Sequence, residues 1–235
     1  MAACALAPPA CRGTTGPRAS PAAVASPSAA TTASPSAEPG ARESPPLRTG
    51  QDDRPVVLFV GTSLTAGYGL DPDEAFPALI QRKIDAAGLR YRVVNAGVSG
   101  ETSAGARRRI GWLMRQRVAV LVLETGANDG LRGQDPEETR RNIQAVFDEA
   151  RKQRPPPRLV LVAMEALPNY GEEYRRRFRA IYPDVAKESG ATLVPFLLDG
   201  VAGDPRLNQA DGIHPTAEGD ARVARNVWRV LRPLL

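Results

Sequence analysis

One serine, one asparagine and one closely spaced aspartate and histidine lie far apart in the chain, in contexts from which acyl transfer could be assembled. Ser63 follows the apolar run Val56-Val57-Leu58-Phe59-Val60 and the pair Gly61-Thr62. A serine hydroxyl is a weak nucleophile and needs an adjacent base to take its proton. His214 is the single histidine of the chain, hence the one imidazole available as a general base near neutral pH. Asp211 stands three residues earlier, in Asp211-Gly212-Ile213-His214-Pro215. From a turn it can accept from one ring nitrogen and fix the tautomer. A tetrahedral intermediate would place negative charge on the former carbonyl oxygen. The backbone N–H groups of Ser63 and Gly100 and the side-chain amide of Asn128 are the candidate donors. Losing one such donor typically costs about 3 kcal/mol of transition-state stabilisation.

Those residues can meet only if strands and helices alternate. Five consecutive apolar residues before Gly61 read as a strand buried on both faces, and a helical pattern opens near Asp73-Glu74. Phe76, Leu79, Ile80, Ile84 and Ala87 share a helical face that Gly88 ends. A strand over 90–95 follows, then a helix with Ala106, Ile110, Leu113 and Met114 on one side. Val118 to Leu123 is a third, central strand. A helix carrying Ile143, Val146, Phe147 and Ala150 precedes a strand over 159–164. Next come a helix with Tyr174, Phe178, Ile181 and Val185, which Pro183 should kink or interrupt, a strand over 192–196, and a last helix packing Val223, Val227, Val230, Leu231 and Leu234. Strict alternation implies right-handed crossovers and a parallel sheet with helices on both faces. The expected fold class is α/β, a three-layer α/β/α sandwich around a five-stranded parallel sheet of flavodoxin-like order 2-1-3-4-5. Ser63, Gly100, Asn128 and the Asp211–His214 segment then fall in loops at one edge, the carboxyl ends of the strands, where such sheets bind ligands.

The composition narrows the function. Lys plus Arg number 31 against 26 acidic residues, and the arginines are spread over helices rather than clustered with aromatics, so there is no nucleic-acid footprint. No apolar run reaches the roughly 18 residues of a membrane span. Both cysteines, Cys4 and Cys11, precede residue 54, which leaves residues 54–235 without a thiol nucleophile or thiolate metal site. With one histidine, no metal site built on two is available either; no metal and no cofactor are expected. Residues 1–53 are rich in Ala, Pro, Ser and Thr and are expected to be a disordered tail; residues 54–235, about 180 residues, are expected to form one domain. The segment Met1 to Cys11 leaves two readings open. It is either a plain tail, in a cytoplasmic protein, or the end of a leader whose cysteine carries a lipid anchor, in a periplasmic or otherwise exported one.

Four blocks carry a resemblance: Gly61-Thr62-Ser63-Leu64; Asn95-Ala96-Gly97-Val98-Ser99-Gly100-Glu101-Thr102; Gly126-Ala127-Asn128-Asp129-Gly130; and Asp211-Gly212-Ile213-His214-Pro215. In this order and spacing the chain resembles the GDSL, or SGNH, hydrolases. Asn128-Asp129-Gly130-Leu131-Arg132-Gly133 and Leu167-Pro168-Asn169-Tyr170-Gly171 resemble the acyl-CoA thioesterase I, arylesterase and lysophospholipase L1 branch. The resemblance implies Ser63 as nucleophile, His214 as base, Asp211 as orienting acid, and Ser63, Gly100 and Asn128 as oxyanion hole. It also implies Leu131, Leu167 and Pro168 as residues of an acyl-chain groove. Substrates would be small acyl or aryl esters, thioesters or lysophospholipids, cleaved through an acyl-serine with no cofactor. One departure stands out: the family usually has aspartate where Thr62 is.

Other residues have plainer readings. Gly97 is expected to serve backbone geometry, Asp129 to brace a loop or cap a helix, and Glu101 to be exposed in a first helical turn. Trp112 and Trp228 are expected to pack. Arg107-Arg108-Arg109 and Arg175-Arg176-Arg177 read as solvated faces, with Glu172–Arg176 and Glu173–Arg177 in favourable i,i+4 order. Two competing functions remain. One is a carbohydrate O-acetyl esterase on the same scaffold. The other is a non-catalytic flavodoxin-like module whose 61–65 turn cradles a phosphate; it would leave Asn128 and His214 without a role.

Overall fold

The apolar run before Ser63 forms β1 (Val56–Gly61), buried along its whole length in a computed structural model that describes residues 52–235. β1 pairs in parallel with β2 (Arg92–Gly97) on one side and β3 (Val118–Glu124) on the other. β4 (Arg158–Val162) and β5 (Thr192–Val194) extend the sheet in the order β2-β1-β3-β4-β5, all parallel. The helices are α1 (Ser63–Ala66), α2 (Phe76–Ala86), α3 (Ser103–Leu113), α4 (Ala127–Leu131), α5 (Pro136–Ala150), α6 (Gly171–Ser189) and α7 (Ala217–Leu231). α2 packs on α7, and α3, α5 and α6 pack side by side. The longer helices α2, α3, α5, α6 and α7 each bury an apolar stripe, and Val57, Leu58, Val122 and Val160 of the sheet are fully covered. The expectations for residues 1–53, and for Cys4 and Cys11, fall outside the described residues except at Asp52 and Asp53.

Several local expectations are corrected. β2 lies two residues later than its composition indicates. α2 opens at Phe76 rather than near Asp73-Glu74, because its cap comes from elsewhere. Ala75 offers no capping side chain, and the Phe76 N–H donates instead to Asp220 Oδ2 of α7 at 2.9 Å. Pro183 leaves α6 continuous. It sits on the exposed side, where the Arg179 carbonyl left without its helical partner can meet water. Trp112 is 65% exposed: Ala106, Ile110 and Leu113 face the core, and a residue two places from Ile110 points the other way. Trp228 does pack against the core. On α6 the ion pairs are Glu172–Arg175 and Glu173–Arg176, i,i+3 rather than i,i+4.

Asp220 has a consequence for stability. Burial pushes its carboxyl up to about 7, opposed only by the Phe76 N–H. Between the ordinary carboxylate range and pH 7 the folded chain holds a proton that the unfolded chain has released. Stability from this group is therefore full below about pH 4, falls as pH rises to 7 and is flat above. Asp220→Asn, which keeps an acceptor for Phe76, should stabilise the protein by about 2–4 kcal/mol at pH 8 and little at pH 4. Thermal melts of both proteins at the two pH values check this; an equal shift at both would refute it.

Candidate active site

The turn that carries Ser63 grows directly out of β1. Thr62 is the N-cap of α1, its Oγ1 accepting from the Leu64 N–H at 3.3 Å. α1 is a single turn, ended by Gly67 in a left-handed conformation (φ 75°). The close packing of β2 beneath it requires a glycine. A Cβ at Gly97 would run into the backbone of Thr65 and Ala66, so the glycine expected to serve backbone geometry does so by permitting contact with α1.

The histidine segment has its own frame. Asn208 and Pro215 form an antiparallel bridge, and the Gln209 N–H donates to the His214 carbonyl at 2.7 Å. Within this closed loop Asp211 Oδ1 accepts from the N–H groups of Ile213 and His214, at 2.9 and 3.0 Å. That turn leaves Asp211 Oδ2 facing His214 Nδ1 at 2.6 Å. His214 Nε2 in turn lies 2.9 Å from Ser63 Oγ. The bond to the imidazole, helped by the two backbone N–H groups, lowers the Asp211 carboxyl to about 2. The exposed ring of Tyr68 lies against His214, with centroids 4.6 Å apart. Gln209 Nε2 holds the carbonyl of Tyr68 at 2.7 Å.

The candidate oxyanion donors sit on the neighbouring loops. Asn128, in α4, donates one amide hydrogen to the Glu101 carbonyl at 3.0 Å, which fixes the amide plane. Among the described residues the N–H groups of Ser63 and Gly100 have no acceptor. Asp129 is the buried brace expected of it. It accepts from the Ser103 N–H at 2.9 Å and hydroxyl at 2.5 Å at the start of α3, and from the Thr139 hydroxyl at 3.3 Å. Glu101 is not the exposed first-turn residue expected. It precedes α3, and its largely covered carboxylate pairs with Arg109 at 2.6 Å. Arg109 also donates to the Gly61 carbonyl at 3.4 Å, which ties the loop after β2 to the turn that carries Ser63.

Leu131, Leu167 and Pro168 line one cavity of about 280 Å³, together with Leu64, Met164 and Ile213. The Tyr170 hydroxyl donates to the Leu131 carbonyl at 3.1 Å, and that of Tyr174 to the Gln134 carbonyl at 2.8 Å. Tyr170, Tyr174, Phe178 and Tyr182 continue as a row of rings down α6, so the groove wall is anchored in the core.

Sequence reasoning missed Glu124. This carboxyl ends β3, is fully buried, and is pushed up by burial despite the hydrogen bonds it accepts. It accepts from the Thr62 N–H at 2.8 Å, the Thr62 hydroxyl at 2.9 Å and the Thr65 hydroxyl at 2.8 Å. The signal was a lone acidic residue closing an otherwise apolar strand. It also gives the Thr62 departure a physical meaning. A threonine donates to this carboxyl, whereas an aspartate there would set two carboxyls against each other, and one would have to hold a proton.

The fold is a three-layer α/β/α sandwich, with the Ser63–His214–Asp211 cluster at the carboxyl end of its sheet. A family model described as GDSL-like lipase/acylhydrolase matches residues 59–222. Esterase TesA of Pseudomonas aeruginosa is 40% identical over 190 residues, 80% of this chain and 94% of that protein. Thioesterase 1/protease 1/lysophospholipase L1 of Escherichia coli K12 is 36% identical over 180 residues, 76% of this chain and 84% of that protein. A crystal structure of TesA superposes with a TM-score of 0.73 at 40% identity, covering 77% of this chain and 99% of that one. The chain belongs to the GDSL-like lipase/acylhydrolase family and is a carboxylic ester hydrolase of the SGNH type.

Proposed function

We propose that the protein cleaves acyl and aryl esters, thioesters and lysophospholipids through an acyl-Ser63 intermediate. The observation that carries this reading is the continuous relay Ser63 Oγ–His214 Nε2–Asp211 at 2.9 and 2.6 Å. His214 takes the serine proton as Ser63 attacks the ester carbonyl, and its Nδ1–H stays with Asp211. The oxyanion is met by the N–H groups of Ser63 and Gly100 and the free amide hydrogen of Asn128. Collapse of the intermediate expels the alcohol or thiol, which takes the proton from His214. Water, deprotonated by His214, then releases the acid. Asn128→Ala should lower kcat about 100- to 1,000-fold with a small change in KM; steady-state kinetics on p-nitrophenyl acetate check this, and a loss confined to KM would speak against the assignment.

The apolar wall of Leu131, Leu167 and Pro168 favours an acyl chain over a carbohydrate. Each buried methylene is worth about 0.8 kcal/mol, so kcat/KM should rise about fourfold per carbon along a p-nitrophenyl ester series until the groove is full. Ala202 lines the same cavity. Ala202→Phe should cut the long esters while sparing the acetate; equal losses across the series would refute the groove. A panel of phenyl, p-nitrophenyl, acyl-CoA, lysophospholipid and acetyl-xylan substrates tests the substrate class, and release from acetyl-xylan alone would overturn it. We read residues 54–235 as the catalytic domain, preceded over 1–53 by the Ala/Pro/Ser-rich segment, for which the tail and lipid-anchor readings both stand. Among the described residues no helix is long and apolar enough to cross a membrane.

A further inference from the structure

Glu124 touches neither member of the Ser63–His214 pair, yet its contacts converge on the turn that holds the nucleophile. It bonds the residue before Ser63 twice and Thr65 once, and Thr62 carries the chain on to Leu64. Both threonine hydroxyls bond to the carboxyl. Thr62 Oγ1 accepts from the Leu64 N–H, and its single hydrogen goes to the carboxyl. Thr65 likewise spends its hydroxyl hydrogen on Glu124. The packing around these bonds is close: a Cβ on Gly61 would collide with Thr65 Oγ1 and with Glu124 Oε2. A four-residue helix cannot hold itself in water, so α1 needs outside anchors: this buried carboxyl grips it from one side, and the Asn95 amide of β2 donates to the Thr65 carbonyl at 2.9 Å. Burying an acidic group costs stability that an apolar residue closing β3 would not.

We propose that Glu124 is a positioning residue for catalysis: through Thr62 and Thr65 it fixes the rotation of the 62–65 turn, and so sets both the Ser63 hydroxyl at His214 and the Ser63 N–H toward the oxyanion. The inference rests on Ser63 being the nucleophile. Glu124→Gln preserves volume but offers one acceptor oxygen and two unwanted hydrogens to three donors. A shift of about 1 Å in a reacting group can cost on the order of 100-fold in rate.

The test compares wild type, Glu124→Gln, Thr62→Val and the double variant on p-nitrophenyl acetate, each rate divided by the active sites titrated to completion with a fluorophosphonate. The expected result for Glu124→Gln is a loss of kcat per titrated site of about 10- to 100-fold, with KM within about twofold. Thr62→Val should lose kcat in the same way, and the double variant should be no worse than the poorer single one. A wild-type kcat per site in Glu124→Gln, with or without fewer titratable sites, overturns the proposal and leaves Glu124 a packing residue. Should Glu124→Gln fail to fold, Thr65→Val removes one donor and keeps the carboxyl; a several-fold fall in kcat supports the proposal, and an unchanged kcat overturns it. Fluorophosphonate labelling that persists in Ser63→Ala would instead defeat the nucleophile assignment.

Discussion

Ser63→Ala is expected to lower kcat on p-nitrophenyl acetate by at least about 10⁴-fold while leaving the fold intact. The size follows from the relay. Without the hydroxyl, His214 has no proton to take from the protein, no acyl-enzyme forms, and only the oxyanion donors and binding remain. Ser63 is the first residue of a one-turn helix whose cap is Thr62 and whose anchor is Glu124, so removing its oxygen disturbs no bond of the frame. Joined to His214→Ala, the loss should be far less than the product of the two, because the two groups act as one unit. Parallel melting curves, and a residual rate that His214→Ala does not reduce further, are the checks. Activity within about tenfold of wild type would remove Ser63 from the mechanism.

Asp211→Asn is expected to cost about 10³- to 10⁴-fold in kcat. Asp211 serves two masters: Oδ1 accepts from two backbone N–H groups and Oδ2 from the ring. Asparagine has one acceptor oxygen. If that oxygen keeps the backbone bonds, the amide NH₂ faces His214 Nδ1, and the ring proton is driven to Nε2, against Ser63. That tautomer cannot accept the serine proton. The same geometry sets the pH behaviour. The Asp211 carboxyl, lowered to about 2 by its bonds to His214 and Ile213, stays ionised through the working range. Its contribution to stability is present above the ordinary carboxylate range and is lost as pH falls through about 2. An acid limb in the kcat/KM profile therefore belongs to another group. A loss under tenfold in Asp211→Asn, or an acid limb abolished by it, would contradict this.

Much of the site was written in local patterns. The apolar run of β1 and the glycine behind it announce a strand ending in a tight turn. A single histidine three residues after an aspartate announces an Asx-type turn that presents the ring. What local patterns could not show are bonds made across the chain. The cap of α2 lies on α7, at Asp220, and the anchor of α1 closes β3, at Glu124. Glu101 looked like helix surface because its partner, Arg109, sits two turns further along α3. Trp112 is of a type that favours burial, but the stripe of Ala106, Ile110 and Leu113 assigns it to the outer side. Asp220, Glu124 and Glu101 take their roles from partners that composition and period do not reveal, whereas for Trp112 the period is the better guide.

The most direct measurement of the acyl-serine mechanism is mass analysis of protein mixed with p-nitrophenyl acetate and quenched in acid within one turnover. One added acetyl group per chain is expected, on the peptide that holds Ser63, and none in Ser63→Ala. Full hydrolysis with no adduct, or an adduct on any other peptide, would contradict it.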